Sequence, residues 1–349
     1  MPIKTTELWE GNPMGGSQLP QAGGQFRILL VSNSGAPFVE NDRRILSESG
    51  ACDLLIYRGR IDLPRLLAMI LRADLVVCWF VLGYATTATL IGLLARIPTL
   101  LVAGGWDVVG LDEIGYGAML SPARTRKTRF ALRTATSVTA VSQATRNEVL
   151  HWTNREVSVI RNGVDLEIFC PNDEPRLRQV VTVAGVDSEV RFQVKGVQFL
   201  IDIAERLSDV PFVVVGKNSA AWSERLTRLS PANVRFESYV NRFALRDIFR
   251  SSRVYLQPSR YESFGMSLAE AMACGCYPVA TEVGGPTEVV GQTGSLVPYG
   301  DVDAAANAIL AGLERARCSE ASERIAEQFS LEERRKRLSA EVEHLLRKR

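Results

Sequence analysis

Two carboxylates, Glu262 and Glu270, stand eight positions apart in QPSRYESFGMSLAEAMACGCYPVATEVGG (residues 257–285), with a Phe-Gly pair between them. Carboxylates so spaced can accept hydrogen bonds from hydroxyls on two parts of one ligand. Gly265, followed by helix formers from Met266 to Ala273, reads as a helix opening at the carboxyl end of a strand. The first turn of such a helix exposes N–H groups with no intrahelical partner, and the helix dipole adds about half a positive charge there. Ser263, Phe264, Gly265, Met266, Ser267 and Leu268 therefore form a candidate cradle for phosphate or sugar oxygens. Gly265 lets a ligand approach the main chain closely. Glu262, ahead of the helix, is read as an acceptor for sugar hydroxyls, and Glu270, one turn in, as an acceptor for a pair such as those of a ribose. Two separated acceptors suit a nucleotide sugar. Ser267-x-x-Glu270 equally fits a capping box, in which the glutamate merely satisfies the helix start.

The elements that must position these residues follow from hydrophobic patterning. Strands are expected at residues 27–32, 52–57, 75–80, 99–103, 137–140 and 157–160, then at 180–183, 211–215, 234–238, 254–257, 278–281 and 294–297. Helical patterns lie between most pairs, which is the signature of an α/β fold of two Rossmann-like, doubly wound parallel-sheet domains. Ligands in such sheets sit outside the carboxyl ends of the strands, so two facing domains would share a cleft. A length of 349 residues suits two domains. The periodic pattern lapses over residues 166–178, where CPNDEP carries two prolines, so the linker is placed there. The expected organisation is a disordered tail at 1–25, a first domain at 26–165, a second at 179–330 and a terminal helix at 331–349. That helix repeats apolar positions at 331, 338, 342, 345 and 346, with its RRKR and RKR clusters as a solvated face.

Composition narrows the function classes. A hydrophobic content of 46% and a formal net charge of +2 describe a globular chain with no electrostatic commitment to nucleic acid. Six scattered cysteines read as reduced thiols in a cytosol, and Cys274 and Cys276 are too close for the usual metal-ligand spacing. Only two histidines are present, so a His-based metal site is not expected. Residues 75–95 lack charge for long enough to span a bilayer on paper. Gly83 and a Thr-Thr pair interrupt that run, which reads instead as a buried strand followed by a packed helix.

The arrangement E-x7-E with an internal Phe-Gly, followed by A-x-A-C-G-x-P-V-x-T-x-x-G-G, resembles the signature of retaining GT-B glycosyltransferases of family 4. NGVD with Phe169 (residues 162–169) and Lys195-Gly196 join it upstream in the order of that family. The resemblance implies that Lys195 contacts the donor diphosphate, where an ammonium stabilises the departing charge; a lone lysine is otherwise a solvated one. It implies a donor loop at Gly185, but the arginine usual after it is replaced by Val186. Arg191 is read as a substitute that reaches the phosphates, its alternative being an ordinary exposed loop arginine. Tyr239 and Val240 occupy the segment that holds the nucleobase in such enzymes, and their side chains equally suit a core. A terminal helix crossing back onto the first domain is a further feature of the family.

The same resemblance assigns the acceptor to the first domain. Candidates there are Asn33 and Gly35 after the first strand, and Gly104, Gly105 and Asp107 after the fourth. Many relatives carry His-Gly-x-Asp at the latter place, and this chain has Gly104 instead of the histidine. Retention in the family is described as a front-face displacement in which the leaving phosphate helps remove the acceptor proton, so no enzymatic base is obligatory. Asp107 is then the surviving polar group for catalysis, or a cap of the following turn. Residues 121–133, SPARTRKTRFALR, read as a solvated helix face, an acceptor-phosphate site or a contact with anionic membrane.

The expectation is a metal-independent, cofactor-free, retaining hexosyltransferase of the cytoplasm or the inner membrane face. Lys195, Glu262 and Asp107 are its catalytic candidates, a nucleotide-diphosphate sugar its donor, and a sugar or lipid-linked molecule its acceptor. A catalytically degenerate nucleotide-sugar-binding scaffold and a GT-B-shaped epimerase are the alternatives.

Overall fold

A computed structural model describes residues 26–347. The expected tail at residues 1–25 lies outside them. The chain divides into two compact units, each built on a six-stranded parallel sheet. The first sheet comprises β1 (Arg27–Ser32), β2 (Ala51–Ile56), β3 (Leu75–Trp79), β4 (Thr99–Ala103), β5 (Ser137–Ala140) and β6 (Ser158–Val159) in the order β2-β1-β3-β4-β5-β6. The second comprises β7 (Leu177–Val183), β8 (Phe212–Val215), β9 (Val234–Glu237), β10 (Ser252–Gln257), β11 (Tyr277–Thr281) and β12 (Ser295–Val297) in the order β12-β11-β10-β7-β8-β9. Every expected strand appears, with ends shifted by up to three residues.

Burial explains why these strands were readable. LVVCW in β3 and TLLVA in β4 are buried along their whole length, as strands covered on both faces must be. The uncharged run at 75–95 accordingly divides into β3 and the helix Gly83–Ala95. Among the described residues no helix is long and apolar enough to cross a membrane.

Strand order fixes where ligands belong. In the first sheet the order turns back between β1 and β3, and in the second between β7 and β10, which pair through Val180 with Val254. Crevices open beyond the carboxyl ends at such switch points.

Two expectations about the joins need correction. The units divide between Arg161 and Asn162, so residues 166–178 lie inside the second unit and β7 already starts at Leu177. Phe169 is buried against Phe249 at 6.2 Å, and the buried Arg176 donates to the Ser252 carbonyl at 2.9 Å and to the Cys274 carbonyl. Side chains pin this segment without regular structure, which is why it lacks a period. Residues 112–116 also group with the second unit.

The second correction concerns RRKR. Arg334, in the helix Leu331–Arg347, is buried and belongs to the first unit. Its Nε and Nη2 each donate to Asp42 at 2.6 Å, and its Nη1 donates to the carbonyls of Ile160 and Arg161. Trp79 Nε1 gives Asp42 a further hydrogen bond at 2.7 Å. One cation of that supposedly solvated face is thus a structural bolt.

Candidate active site

Beyond β10 the chain is wired into a fixed loop. Gln257 donates to Ser259 Oγ at 2.7 Å, and Thr281 donates to the Ser259 carbonyl at 2.6 Å. The Gly284-Gly285 pair then passes under residues 262–264. A Cβ at Gly284 would lie 2.1 Å from the Glu262 carbonyl oxygen, and one at Gly285 2.3 Å from that of Ser263. Gly285 N–H instead donates to the Glu262 carbonyl at 2.9 Å. The two glycines of EVGG are therefore what holds Glu262 in place.

Gly265, at φ 92°, caps the helix Met266–Ala273 without a side-chain hydrogen bond. This left-handed conformation favours glycine, and it leaves the first-turn amides of Met266, Ser267 and Leu268 without intrahelical acceptors. Because Gly265 is the cap, Ser267 and Glu270 are not placed as a capping box, and that reading of Glu270 falls. Phe264 is buried against Phe329 and anchors the loop.

Lys195 ends the helix Glu189–Val194, and Arg260 N–H donates to the Val194 carbonyl at 2.9 Å, which ties that helix end to the loop after β10. Gly196 makes the approach possible: at φ 63°, its Cβ would fall 1.8 Å from the Pro258 carbonyl oxygen. As a result Lys195 Nζ donates to Glu262 Oε2 at 2.7 Å, with the two side chains 26% and 18% exposed. The pair is desolvated enough to be ordered and open enough to meet a ligand.

Glu270 sits at the centre of a second cluster. Burial pushes its carboxyl up to about 7, opposed by the nearby Arg242 guanidinium and reinforced by Asp165. Arg242 lies 3.8 Å from Asp165 and 5.3 Å over the Phe169 ring, and its Nε is buried without a hydrogen-bond partner. Asn162 Oδ1 is likewise buried and unpartnered. Asp165 and Phe169 thus hold the Arg242 guanidinium that acts on Glu270. Arg242 escaped the sequence reading because nothing local marks it; only the preceding cap, Asn241 accepting from Ala244 N–H, hints at an ordered helix start.

The remaining donor candidates divide. Gly185 follows β7 at the switch point, where its Cβ would meet the Lys217 carbonyl oxygen at 3.0 Å. Val186 is buried in the core. Arg191 lies within the helix Glu189–Val194, not in a loop, and pairs with Asp187 one turn earlier at 3.5 Å. Tyr239 is 52% exposed, so its ring is not core; Val240 is half-buried.

In the first unit, Asn33, Gly104, Gly105 and Asp107 lie at the carboxyl ends of β1 and β4. Asn33 Oδ1 is buried without a partner. Gly35 is exposed, and nothing within 4 Å would meet a Cβ there. Asp107 is fully buried: Oδ2 accepts from Val81 N–H at 2.7 Å, and Oδ1 from the amides of Gly104 at 3.0 Å and Gly105 at 2.8 Å. Burial raises its carboxyl to about 6 against the pull of those hydrogen bonds. It clamps two loops together; the bonded amides belong to Val81 and to the preceding Gly104 and Gly105, not to the turn that follows. At Gly104 a Cβ would lie 2.3 Å from the ring of Phe80, a non-glycine residue held at φ 67°.

Comparison with known proteins matches both halves of the chain. Residues 16–168 match the model for Glycosyltransferase Family 4, and residues 178–315 the model for Glycosyl transferases group 1. Alpha-maltose-1-phosphate synthase of Mycobacterium tuberculosis is 32% identical over 247 residues, which cover 63% of this chain and 63% of that protein. The chain therefore aligns with less than two thirds of that relative's length. The solved sucrose-phosphate synthase of Thermosynechococcus elongatus superposes with a TM-score of 0.74 at 19% identity, covering 93% of this chain and 100% of the other. Anabaena HepE, solved with UDP and glucose, gives 0.70 at 19% identity over 92% and 100%. At such identities the two structures speak to the fold, which is GT-B.

Proposed function

The chain belongs to the family 4, or group 1, glycosyltransferases, and from that membership we propose that it is a retaining transferase. It moves a hexose-type sugar from a nucleotide-diphosphate donor to a sugar or lipid-linked acceptor. The observation that carries this reading is the Lys195–Glu262 pair at 2.7 Å, placed beside the uncapped start of the helix Met266–Ala273 at a switch point. A diphosphate arriving there meets an ammonium and a row of free amides, which stabilise developing negative charge without reorganising.

The roles follow from the geometry. Lys195 and the amides of residues 264–268 bind the leaving diphosphate, so the charge is met by the chain's own groups, without a metal or cofactor. Glu262 orients Lys195 and accepts from the sugar. Glu270, once ionised, accepts from the ribose; burial and Asp165 oppose that charge and the Arg242 guanidinium favours it. In a front-face displacement the anomeric C–O bond to phosphate breaks and the acceptor oxygen bonds to the same face, while the departing phosphate takes the acceptor proton. Asp107 touches none of these atoms in such a scheme; it positions the loops of Gly104 and Val81. The acceptor meets the first unit near Asn33, Gly35 and Gly104. Unpaired thiols at all six cysteines suit a reducing cytoplasm, and a contact of residues 121–133 with anionic membrane would put the enzyme at its inner face.

UDP-, GDP- and ADP-sugars screened by thermal shift, then transfer from the best binder, test the reading. UDP-glucose leads because HepE was solved with UDP and glucose. Sugar phosphates belong among the acceptors, since one relative is named for a maltose phosphate. An α-linked product from an α-linked donor, read by NMR, supports retention; an inverted product refutes it. The second reading, a degenerate scaffold, is favoured by the histidine missing at Gly104 in the sequence and by the buried Val186. Donor binding without hydrolysis or transfer would select it.

A further inference from the structure

Three helices of the first unit lie side by side: Leu63–Ile70, Gly83–Ala95 and Pro122–Thr134, the middle one packed on both neighbours. Their outer surface departs from the rest of the chain in two ways. It is apolar where a surface is ordinarily polar. Of thirteen large hydrophobic residues exposed among the described residues, seven fall between residues 61 and 130. The most open are Ile61 at 87%, Leu94 at 77%, Leu71 at 64% and Leu93 at 58%, with Leu90 and Phe130 beside them. Leu90, Leu93 and Leu94 recur at helical spacing on the outward side of one helix, while its inward side buries Tyr84, Ala85, Ala88 and Thr89. A patch of this kind marks a surface that is covered in use.

The second departure is electrostatic. The three helices carry no Asp or Glu at all, although the whole chain balances 41 cations against 39 acids. Arg65, Arg124, Arg126, Lys127, Arg129 and Arg133 stand exposed on them, and Arg72 just beyond the end of the first. Basic residues flank the leucines on these helices; at the edge, Asp62 beside Ile61 is engaged by Arg58 N–H at 2.6 Å. The Pro122–Thr134 segment read alone is a charged helix face; read with its neighbours it is the basic side of an apolar platform.

We propose that this platform docks on a membrane surface that contains anionic lipid. Exposed leucines and a phenylalanine enter the boundary between head groups and acyl chains, and the surrounding cations meet lipid phosphates. A second copy of the chain fits poorly, because symmetric pairing would set cation against cation. The loops that follow the strands lie at the rim of the sheet, whereas the platform is a helix layer on its face. Docking therefore leaves the substrate loops uncovered. The inference is independent of which sugar is transferred, and of whether transfer occurs at all.

Co-sedimentation of the full chain with phosphatidylcholine vesicles, with and without phosphatidylglycerol, tests it. Binding should be at least roughly tenfold stronger to the anionic vesicles and should weaken as salt is raised. Leu93→Ser with Leu94→Ser, and separately Arg126→Glu with Arg129→Glu, should each lower it by roughly tenfold or more while leaving Tm unchanged, because all four side chains are exposed. Failure to sediment with anionic vesicles overturns the proposal. So does sedimentation that neither pair of substitutions reduces. Light scattering on the leucine variant supplies the remaining arm: a dimer that becomes a monomer would assign the platform to self-association and overturn the membrane reading, whereas an unchanged mass supports it.

Discussion

Replacing Glu270 by Gln separates the electrostatic cost of this carboxyl from its proposed use. Burial raises it from 4.5 to about 7, so over that interval the folded chain holds a proton that the unfolded chain has released. The stability contributed by that proton is complete below pH 4.5 and is lost as the pH rises through about 7. The difference corresponds to about 3 kcal/mol at pH 8, or roughly 6–12 °C in the melting of a unit of this size. Glu270→Gln should therefore match the wild type near pH 5 and exceed it at pH 8. Asp107, raised to about 6, tilts the wild-type profile in the same direction, but it is present in both proteins and cancels in the comparison. The added stability should come with lost binding. An ionised Glu270 accepts ribose hydroxyls and a neutral amide does so less well, so the melting shift given by a nucleotide sugar should grow from pH 6 to pH 8 in the wild type and stay small and flat in the variant. Calorimetry across pH 5–8.5, with and without the nucleotide sugar, reads both effects. Parallel Tm profiles for the two proteins would refute the electrostatic account. Divergent profiles with equal donor shifts would refute the role in donor binding.

Other perturbations act through named contacts. Gly196→Ala imposes a left-handed conformation on an L-residue and drives its Cβ toward the Pro258 carbonyl, so it should destabilise the second unit by about 2–5 kcal/mol and abolish the donor-induced melting shift. Asp42→Ala leaves the Arg334 guanidinium buried without its carboxylate; a loss of about 3–5 kcal/mol in urea unfolding of the first unit is expected, with the donor shift retained. Gly104→Ala should cost about 1–3 kcal/mol by displacing the Phe80 ring, and Phe80→Ala should remove most of that penalty in the double variant; additive losses would show that the two positions do not compete for space.

The fold was legible because it is written in short-range patterns. Strands such as LVVCW are buried on both faces and stand out as apolar runs between turn signals. The loop of the proposed donor site was legible in its geometry for a related reason: Glu262, Gly265 and the Gly284-Gly285 pair sit within one contiguous stretch whose spacing expresses a strand-loop-helix passage. What escaped depends on contacts between distant segments. Arg334 looked like one cation among several until Asp42, 292 positions earlier, was found beside it. Residues 166–178 looked like a linker because they have no period, yet Phe169 and Arg176 lock them into the second unit. Arg242 carries no local mark, and its relation to Glu270 comes only from folding.

Gly104 is the position where a reading from sequence and one from structure part most sharply. Taken by itself, a glycine in place of a histidine suggests a lost function. In the folded chain the space belongs to another residue: Phe80 N–H donates to the Val102 carbonyl at 2.9 Å, and Val81 N–H is held by Asp107 at 2.7 Å. These bonds keep Phe80 at φ 67°, a conformation that costs a bulky residue on the order of 1–3 kcal/mol. Its ring, packed with Phe38 at 6.1 Å and Trp79 at 5.5 Å, then fills the volume that any side chain at 104 would need. The glycine and the phenylalanine are one arrangement, with Asp107 as its clamp. Decay of an unused site would not account for a strained aromatic residue braced from two strands at the carboxyl edge of the sheet. A wall rebuilt around the Phe80 ring would, because that ring needs the space a side chain at 104 would take.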